Sequence, residues 1–441
     1  MSPHLTCRRL ASFASIAVAI CSVALPANGQ TRPDTLFLDD LQRAAEQADR
    51  RSVQTELLAK QSILRLQSIR NERLPALNAS GTAQYLSDVP QIGAVLPGAR
   101  IPSPPNDQYD GSIALRQPLF DPTRKSRVVV EQAQTLESQA RVRTALWQQR
   151  AAVTEAFFGV VLRDAQLRAL DVAITDLDAR MRVASNRVAS GAALPSEKLL
   201  IEAERARRLQ SRDELVIERD ATRDVLSALV ARDLPAGAVL SVRLPAASAV
   251  FARATADTLH ARPEFAQFER TRAVFDARRA VTAAQDLPRV SAFGRSGYGR
   301  PGLNALGRSF DTFWTAGVQV EWTPWNWGRT RRDLEVQTLQ EASVRSDEAA
   351  FRESLTRTTL ADRARMQSLE RSLAADDSIV TLRERILRET RIRYDEGEVN
   401  AADYIARLSE HLNAQLDRDV RRVRLDEARV RYLTTLGLEV R

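Results

Sequence analysis

From Thr123 to Val188 the chain runs without a proline and with one glycine, Gly159. A second stretch of the same kind runs from about Arg329 to Glu396. Neither pattern contains an internal stop signal, so each predicts one continuous helix. At 1.5 Å per residue, a helix of this length spans on the order of 100 Å. Few globular folds need such a rod. Shorter helical patterns, roughly 36–73 and 196–231, would stack end to end to about the same length by the same rise. Each long helix can thus lie beside two short ones. In the last helical stretch Ile405, Leu408, Leu412, Leu416, Val420 and Val423 recur every three or four residues. That is a narrow seam of the coiled-coil kind.

The two long patterns belong to a duplication. Residues Asn71 to Tyr85 read NERLPALNASGTAQY, and residues Ala284 to Tyr298 read AQDLPRVSAFGRSGY. Each has Leu-Pro, then period-two alternation ending in Tyr. RQPLFDPTR at Arg116 pairs with WTPWNWGRT at Trp322, placing Pro118 and Pro324 206 residues apart. RVASGAALPSEKLL and RYDEGEVNAADYIA repeat the same helix–turn–helix phrase, and Gly191 and Gly397 are again 206 apart. Both glycines suit the left-handed end of a helix. Pro195 and Ser196 suit the start of the next one. The organisation expected is one half at 30–231, a linker at 232–255 and a second half at 256–441. Each half has the order helix, strands, long helix, tight turn, helix. A solenoid period would be far shorter.

The strand patterns carry one apolar and one polar face. Leu77, Ala79, Gly81, Ala83 and Tyr85 alternate with Asn78, Ser80, Thr82 and Gln84; Tyr109, Gly111, Ile113 and Leu115 alternate with Asp110, Ser112 and Arg116. In the second half Val290, Ala292, Gly294 and Tyr298 form one such face, and Trp314, Ala316, Val318, Val320 and Trp322 form another. Strands of this length and pattern suit a transmembrane barrel. Trp314, Trp322, Trp325 and Trp327 cluster at the last strand and its exit. Tyr85 and Tyr298 close two strands. Such aromatics fit a membrane–water interface. The competing reading is an ordinary sheet packed on a helix. A proline-rich segment, Val89 to Asp107, and a glycine-rich one, Gly299 to Asp311, read as exposed loops. Four strands cannot close a barrel, and an open edge is not viable in lipid. The chain must therefore assemble; two copies give eight strands and three give twelve, and the pattern alone fits either.

The first residues set the compartment. Arg8 and Arg9 precede the apolar run Leu10–Leu25, followed by PANGQ. This reads as a secretory signal peptide over 1–29, with the mature chain starting near Gln30. Both cysteines, Cys7 and Cys21, lie inside it, so thiolate catalysis and disulfides are not expected. Ile20 is bulky where a lipidation signal needs a small residue. The net charge of +8 raises nucleic-acid binding, but the arginines are interleaved with acids along helices, as in RDELVIERDATRD, which is a solvated face. No zinc-finger, RNP or basic-zipper signature supports nucleic acid. Charged residues make 27% and aromatics 5% of the chain, which suits long helices better than an enzyme core. His260 and His411, far apart in sequence, read as linker or helix-surface residues. Gly294-Arg295-Ser296-Gly297 lies in a strand pattern and is neither a nucleophile elbow nor a phosphate loop. No enzyme, cofactor or metal site is expected.

Taken together, the duplicated half, the strand starts LPALNASG and LPRVSAFG, RQPLFDPT and above all YDEGEVNAADYIARLSEHLNAQL resemble the TolC-type outer membrane factors. The resemblance covers roughly residues 35–437. It implies a mainly α fold with membrane β. Four strands per chain contribute to a trimeric twelve-stranded outer-membrane barrel, above a long-helix periplasmic α-barrel. It implies an exit duct of a tripartite efflux pump or type I secretion system in the outer membrane. Its partners would be two further copies of the chain, a periplasmic adaptor, an inner-membrane transporter and outer membrane lipid, with no nucleic acid. Each tight turn would then lie at the periplasmic tip. By the same resemblance Asp403 matches an acidic residue lining the constricted mouth, and Tyr394 matches an aromatic that holds the mouth closed. A second acid one turn on is Ala406 here, and the usual Arg two residues past the glycine is Val399. The alternatives are that these acids solvate a turn and cap a helix, and that the chain is a secreted periplasmic coiled-coil scaffold without channel activity.

Overall fold

The computed structural model describes residues 35–89, 103–235, 237–244, 261–304 and 306–439. The expected signal peptide, His260, much of the linker and most of the proline-rich loop lie outside the described residues. In chain order the elements are β1 (Thr35–Phe37), α1 (Leu38–Ala48), α2 (Ser52–Asn71), β2 (Ala76–Tyr85), β3 (Asp107–Phe120), α3 (Thr123–Ala189) and α4 (Pro195–Val230). They continue with β4 (Val239–Ser241), α5 (Pro263–Ala284), β5 (Arg289–Arg300), β6 (Asp311–Glu321), α6 (Arg329–Glu396) and α7 (Ala401–Thr435).

The long helices are unbroken, at 67 and 68 residues, which is roughly 100 Å each by the helix rise. Their starts, Thr123 and Arg329, keep the 206-residue offset of the sequence. α3 packs against α1, α2, α4, α5 and α7; α6 packs against α5 and α7. The helix expected over 36–73 is instead a short strand and two helices, broken after Ala48. Asp49 causes the break. Its carboxylate accepts the Arg51 backbone N–H at 2.8 Å and Gln149 Nε2 at 3.0 Å, and its backbone is extended. A short acid bonding its own backbone competes with helix hydrogen bonding. Upstream, β1 pairs in parallel with β4, so the segment entering the first half is held against the linker.

Core clusters are spaced along the rods rather than gathered in one centre. About halfway along α3, Phe157 and Val153 are fully buried with Leu38 of α1 and Leu226 of α4. The seam of α7 feeds successive clusters: Leu408 joins one near the turns, Leu412 a second and Val423 the halfway one. Phe157→Ala removes a ring with no exposed area and leaves a cavity among four helices. It is expected to cost about 3–5 kcal/mol, read as a lowered thermal midpoint of the purified protein.

The large sheet has four antiparallel strands in the order β2-β3-β5-β6. Its register answers whether the apolar faces coincide. Leu77 faces Leu115 and Ala79 faces Ile113 across β2–β3. Leu115 faces Gly294 and Gly111 faces Tyr298 across β3–β5. Val290 faces Val320 and Ala292 faces Val318 across β5–β6. Directly opposed residues share a face, so all four alternating apolar sets lie on one side. Pro118, which has no N–H for the ladder, sits where the β3–β5 register shifts. Trp322, expected as a strand residue, falls just beyond β6, which ends at Glu321.

Candidate functional site

Two regions carry features beyond packing: the sheet and the pair of turns at the far ends of the long helices. On the apolar face of the sheet the large side chains stand in solvent. Leu77, Val318 and Val320 are exposed, as are Tyr85 at 77%, Tyr298 at 55% and Trp314 at 74%. A monomer in water does not leave a contiguous face of this kind open without a use. The aromatics fall into two belts. Tyr85, Tyr109, Tyr298 and Phe310 gather at the end away from the helices, with Phe310 stacked on Tyr298 at 5.5 Å. Trp322, Trp325 and Trp327 gather where β6 gives way to α6; Trp322 Nε1 donates to the Asp286 carbonyl at 3.0 Å, and Trp325 meets Trp327 edge-on.

The opposite face is polar and cross-linked. Ser80 and Ser112 share a hydrogen bond at 3.1 Å, Gln84 donates to Gln108 at 2.8 Å, and Arg295 donates to Asp110 at 2.6 Å and Ser112 at 3.0 Å. Two aromatics interrupt it. Phe313 is buried over Gly297, where a Cβ would lie 2.6 Å from its ring, and Phe293 covers Gly317 in the same way. These glycines leave room for a ring lying flat on the sheet. Position in the polar set hid both phenylalanines from the sequence pattern.

At the other end of the rods the two turns are built alike. Gly191 has φ 73° and Gly397 φ 83°, the left-handed region that glycine enters without cost. In each, an N–H one residue past the glycine reaches back five residues. Ala192 donates to the Arg187 carbonyl and Glu398 to the Arg393 carbonyl, both at 2.8 Å. Pro195 opens α4; Asn400 caps α7, its side chain accepting the Asp403 N–H at 2.9 Å. Asp403 is therefore the third residue of its helix and exposed. Glu197 holds the same place in α4.

The turns meet through α3. Arg187 Nη1 donates to the Tyr394 carbonyl at 2.8 Å, and its guanidinium lies 5.3 Å from the Tyr394 ring centroid. Arg180 pairs with Asp395. Tyr394 is fully buried and stacks on Tyr404, ring centroids 5.4 Å apart, among Leu177, Ala184 and Ile201. Tyr404 donates its hydroxyl to Asp176. Burial, and then that bond, push its ionisation far above the usual tyrosine range. Burial raises Tyr394 as well, with Glu197 adding to it. Both rings stay neutral phenols at any ordinary pH. The Tyr394 hydroxyl and Glu197 Oε2 are buried without hydrogen-bond partners.

Sequence reasoning named Gly191, Pro195, Tyr394, Gly397 and Asp403, and all five lie at or beside the two turns. It missed Arg180, Arg187, Asp176 and Tyr404. The only available signal was that Arg187 and Arg393 occupy matching places before the two glycines; Arg393 is exposed, and nothing in the spacing told which would reach across. His411, expected on a helix surface, is 9% exposed.

Among the described residues no helix is long and apolar enough to cross a membrane, a criterion that does not concern a β-barrel. No family model matches the sequence and no curated protein does. Solved structures do. The chain is similar to a membrane protein from Pseudomonas aeruginosa, with TM-score 0.68 and 18% identity over 92% of this chain and 91% of that one. The outer membrane protein VceC of Vibrio cholerae matches at TM-score 0.64 and 16% identity, over 92% and 97%. The open-state outer membrane channel MtrE of Neisseria gonorrhoeae matches at 0.65 and 18%, over 92% and 89%. A likeness this long, and this low in identity, speaks for architecture: the chain has the fold of the TolC-type outer membrane channels, long packed helices joined to a short antiparallel sheet.

Proposed function

We propose that this chain is one third of an outer membrane exit duct. Three copies join their sheets edge to edge into a twelve-stranded barrel, and their long helices continue it as a tunnel into the periplasm. The carrying observation is the register: four strands place every alternating apolar set on one exposed face, and the polar set on the other. A sheet whose edges β2 and β6 are unpaired among the described residues must find partners in lipid, and further copies supply them. The solved structures of this fold include outer membrane channels, which supports the reading.

The duct is passive and gated. Its energy and its choice of cargo come from an inner-membrane transporter, reached through a periplasmic adaptor, as in an efflux pump or a type I secretion system. The gate is the tip formed by the two turns, opened by small shifts of packed helices. Asp403, exposed beside the second turn, supplies one carboxylate per copy, and a ring of such charges attracts cations. Protein reconstituted into planar bilayers is expected to give stepwise currents with a preference for cations. Asp403→Asn should weaken that preference and any block by divalent ions. Currents that lack steps would contradict the duct; unchanged selectivity in the variant would remove Asp403 from the gate.

A further inference from the structure

Behind the tip, between α3, α6 and α7, lies an open-sided pocket of about 420 Å³ whose lining includes Ala173, Asp176, Glu384, Arg391, His411 and Leu412. His411 is more than nine-tenths buried, and its Nδ1 has no hydrogen-bond partner. A buried polar atom without a partner carries a desolvation cost that adjoining structure must hold in place.

We propose that His411 is a proton-operated wedge for the gate: taking up a proton draws its buried ring toward the water of this pocket and loosens α3, α6 and α7 just behind the turns. The inference deepens the duct reading and rests on it.

The charges around the pocket decide the direction. From α3 comes Asp176, one oxygen of which accepts the Tyr404 hydroxyl and the other of which lies 3.8 Å from Arg391. From α6 come Glu384 and Arg388, paired with each other at 2.9 Å, and Arg391. On α7 itself Arg418 is paired with Asp419, and Glu410 is held by Arg383 and Arg407. The nearby acids thus have cationic or hydroxyl partners, and none of them bonds Nδ1. Burial dominates and holds His411 below its ordinary value of 6.5; Glu384 opposes this and Arg418 adds to it.

The sign follows. A loosened, hydrated tip lets His411 titrate near its ordinary value, whereas the packed tip keeps it neutral to lower pH. The loosened state therefore binds more protons at acid pH, and the packed state loses stability as pH falls below about 6.5. The mechanical link is short. Leu408, three residues before His411, belongs to the same buried cluster as Tyr394 and Tyr404, and Asp176 serves both the pocket and the Tyr404 hydroxyl.

The test is open probability in planar bilayers between about pH 7.5 and 5.5, together with amide exchange of the 404–416 segment corrected for intrinsic pH dependence. Full-length protein is compared with His411→Gln and His411→Lys. The wild type should open several-fold more often at the acid end and exchange faster over that segment. His411→Gln should flatten both responses, and His411→Lys should hold the tip loose at neutral pH. A glutamine variant with the wild-type pH response would overturn the proposal. If no protein conducts, the duct reading fails, and the exchange profiles still decide the role of His411.

Discussion

Val318→Arg is expected to keep the protein out of the outer membrane, whereas Gln319→Arg, its neighbour in sequence, is expected to leave it there. The two side chains leave β6 on opposite faces, since strand side chains alternate. Val318 is opposed by Ala292 on the apolar side, and Gln319 by Ser291 on the polar one. An arginine on the lipid face of a barrel costs roughly 2–4 kcal/mol at mid-depth and less toward the interfaces. Val318 stands a few residues from the middle of β6, so about 2 kcal/mol per chain is a reasonable figure, incurred in every copy of an assembled barrel. Gln319 lies on the polar face of the sheet, where an arginine can stay hydrated. Cell fractionation followed by immunoblotting reads the outcome. Equal outer membrane levels for both variants would mean that the apolar face is not the lipid face. Loss of both would mean that β6 tolerates no charge on either side.

The second large effect belongs to the tip. The double variant Arg180→Ala, Arg187→Ala should leave the duct open for much longer. Both arginines come from α3, seven residues and two helical turns apart, and both hold the last turn of α6. Arg187 bonds the Tyr394 carbonyl at 2.8 Å, and Arg180 pairs with Asp395. A hydrogen bond to a charged group contributes about 1.5–3 kcal/mol. Asp395 is 42% exposed, so solvent screens that pair and the lower end applies. Together the two contacts are expected to favour the packed tip seen here by roughly 3 kcal/mol, about a hundred-fold in the open–closed ratio of the proposed gate. Single-channel recording should show open times lengthened toward that factor, with Asp395→Asn giving a smaller change in the same direction. Open times unchanged in the double variant would show that α3 does not hold the gate.

Much of this architecture was legible because its signals are local. Helix ends are written by proline, glycine and capping residues, and both long helices begin and end within a residue or two of those signals. Gly191 and Gly397 mark left-handed caps because few other residues accept that backbone. The apolar faces of the strands follow from a period of two, and the duplication doubles every signal. What escaped notice depends on contacts between residues far apart in the chain. Arg187 and Tyr394 meet because two helices of similar length end at the same level, which no spacing within either helix records. The break at Asp49 turns on a short acid bonding its own backbone and Gln149, a partner 100 residues away. Phe313 lies in the polar set of β6 and is buried only because Gly297, on the next strand, leaves room for its ring. His411 reads as one more polar residue on an amphipathic helix until α3 and α6 close over it.

The measurement that tests the account most directly is the native mass of the protein extracted from outer membranes in mild detergent. A particle of three chains is predicted, since three four-stranded sheets close a barrel of twelve and leave no edge in lipid. A monomer or dimer recovered from the soluble periplasmic fraction would contradict it, and the chain would then be a secreted helical scaffold rather than a duct.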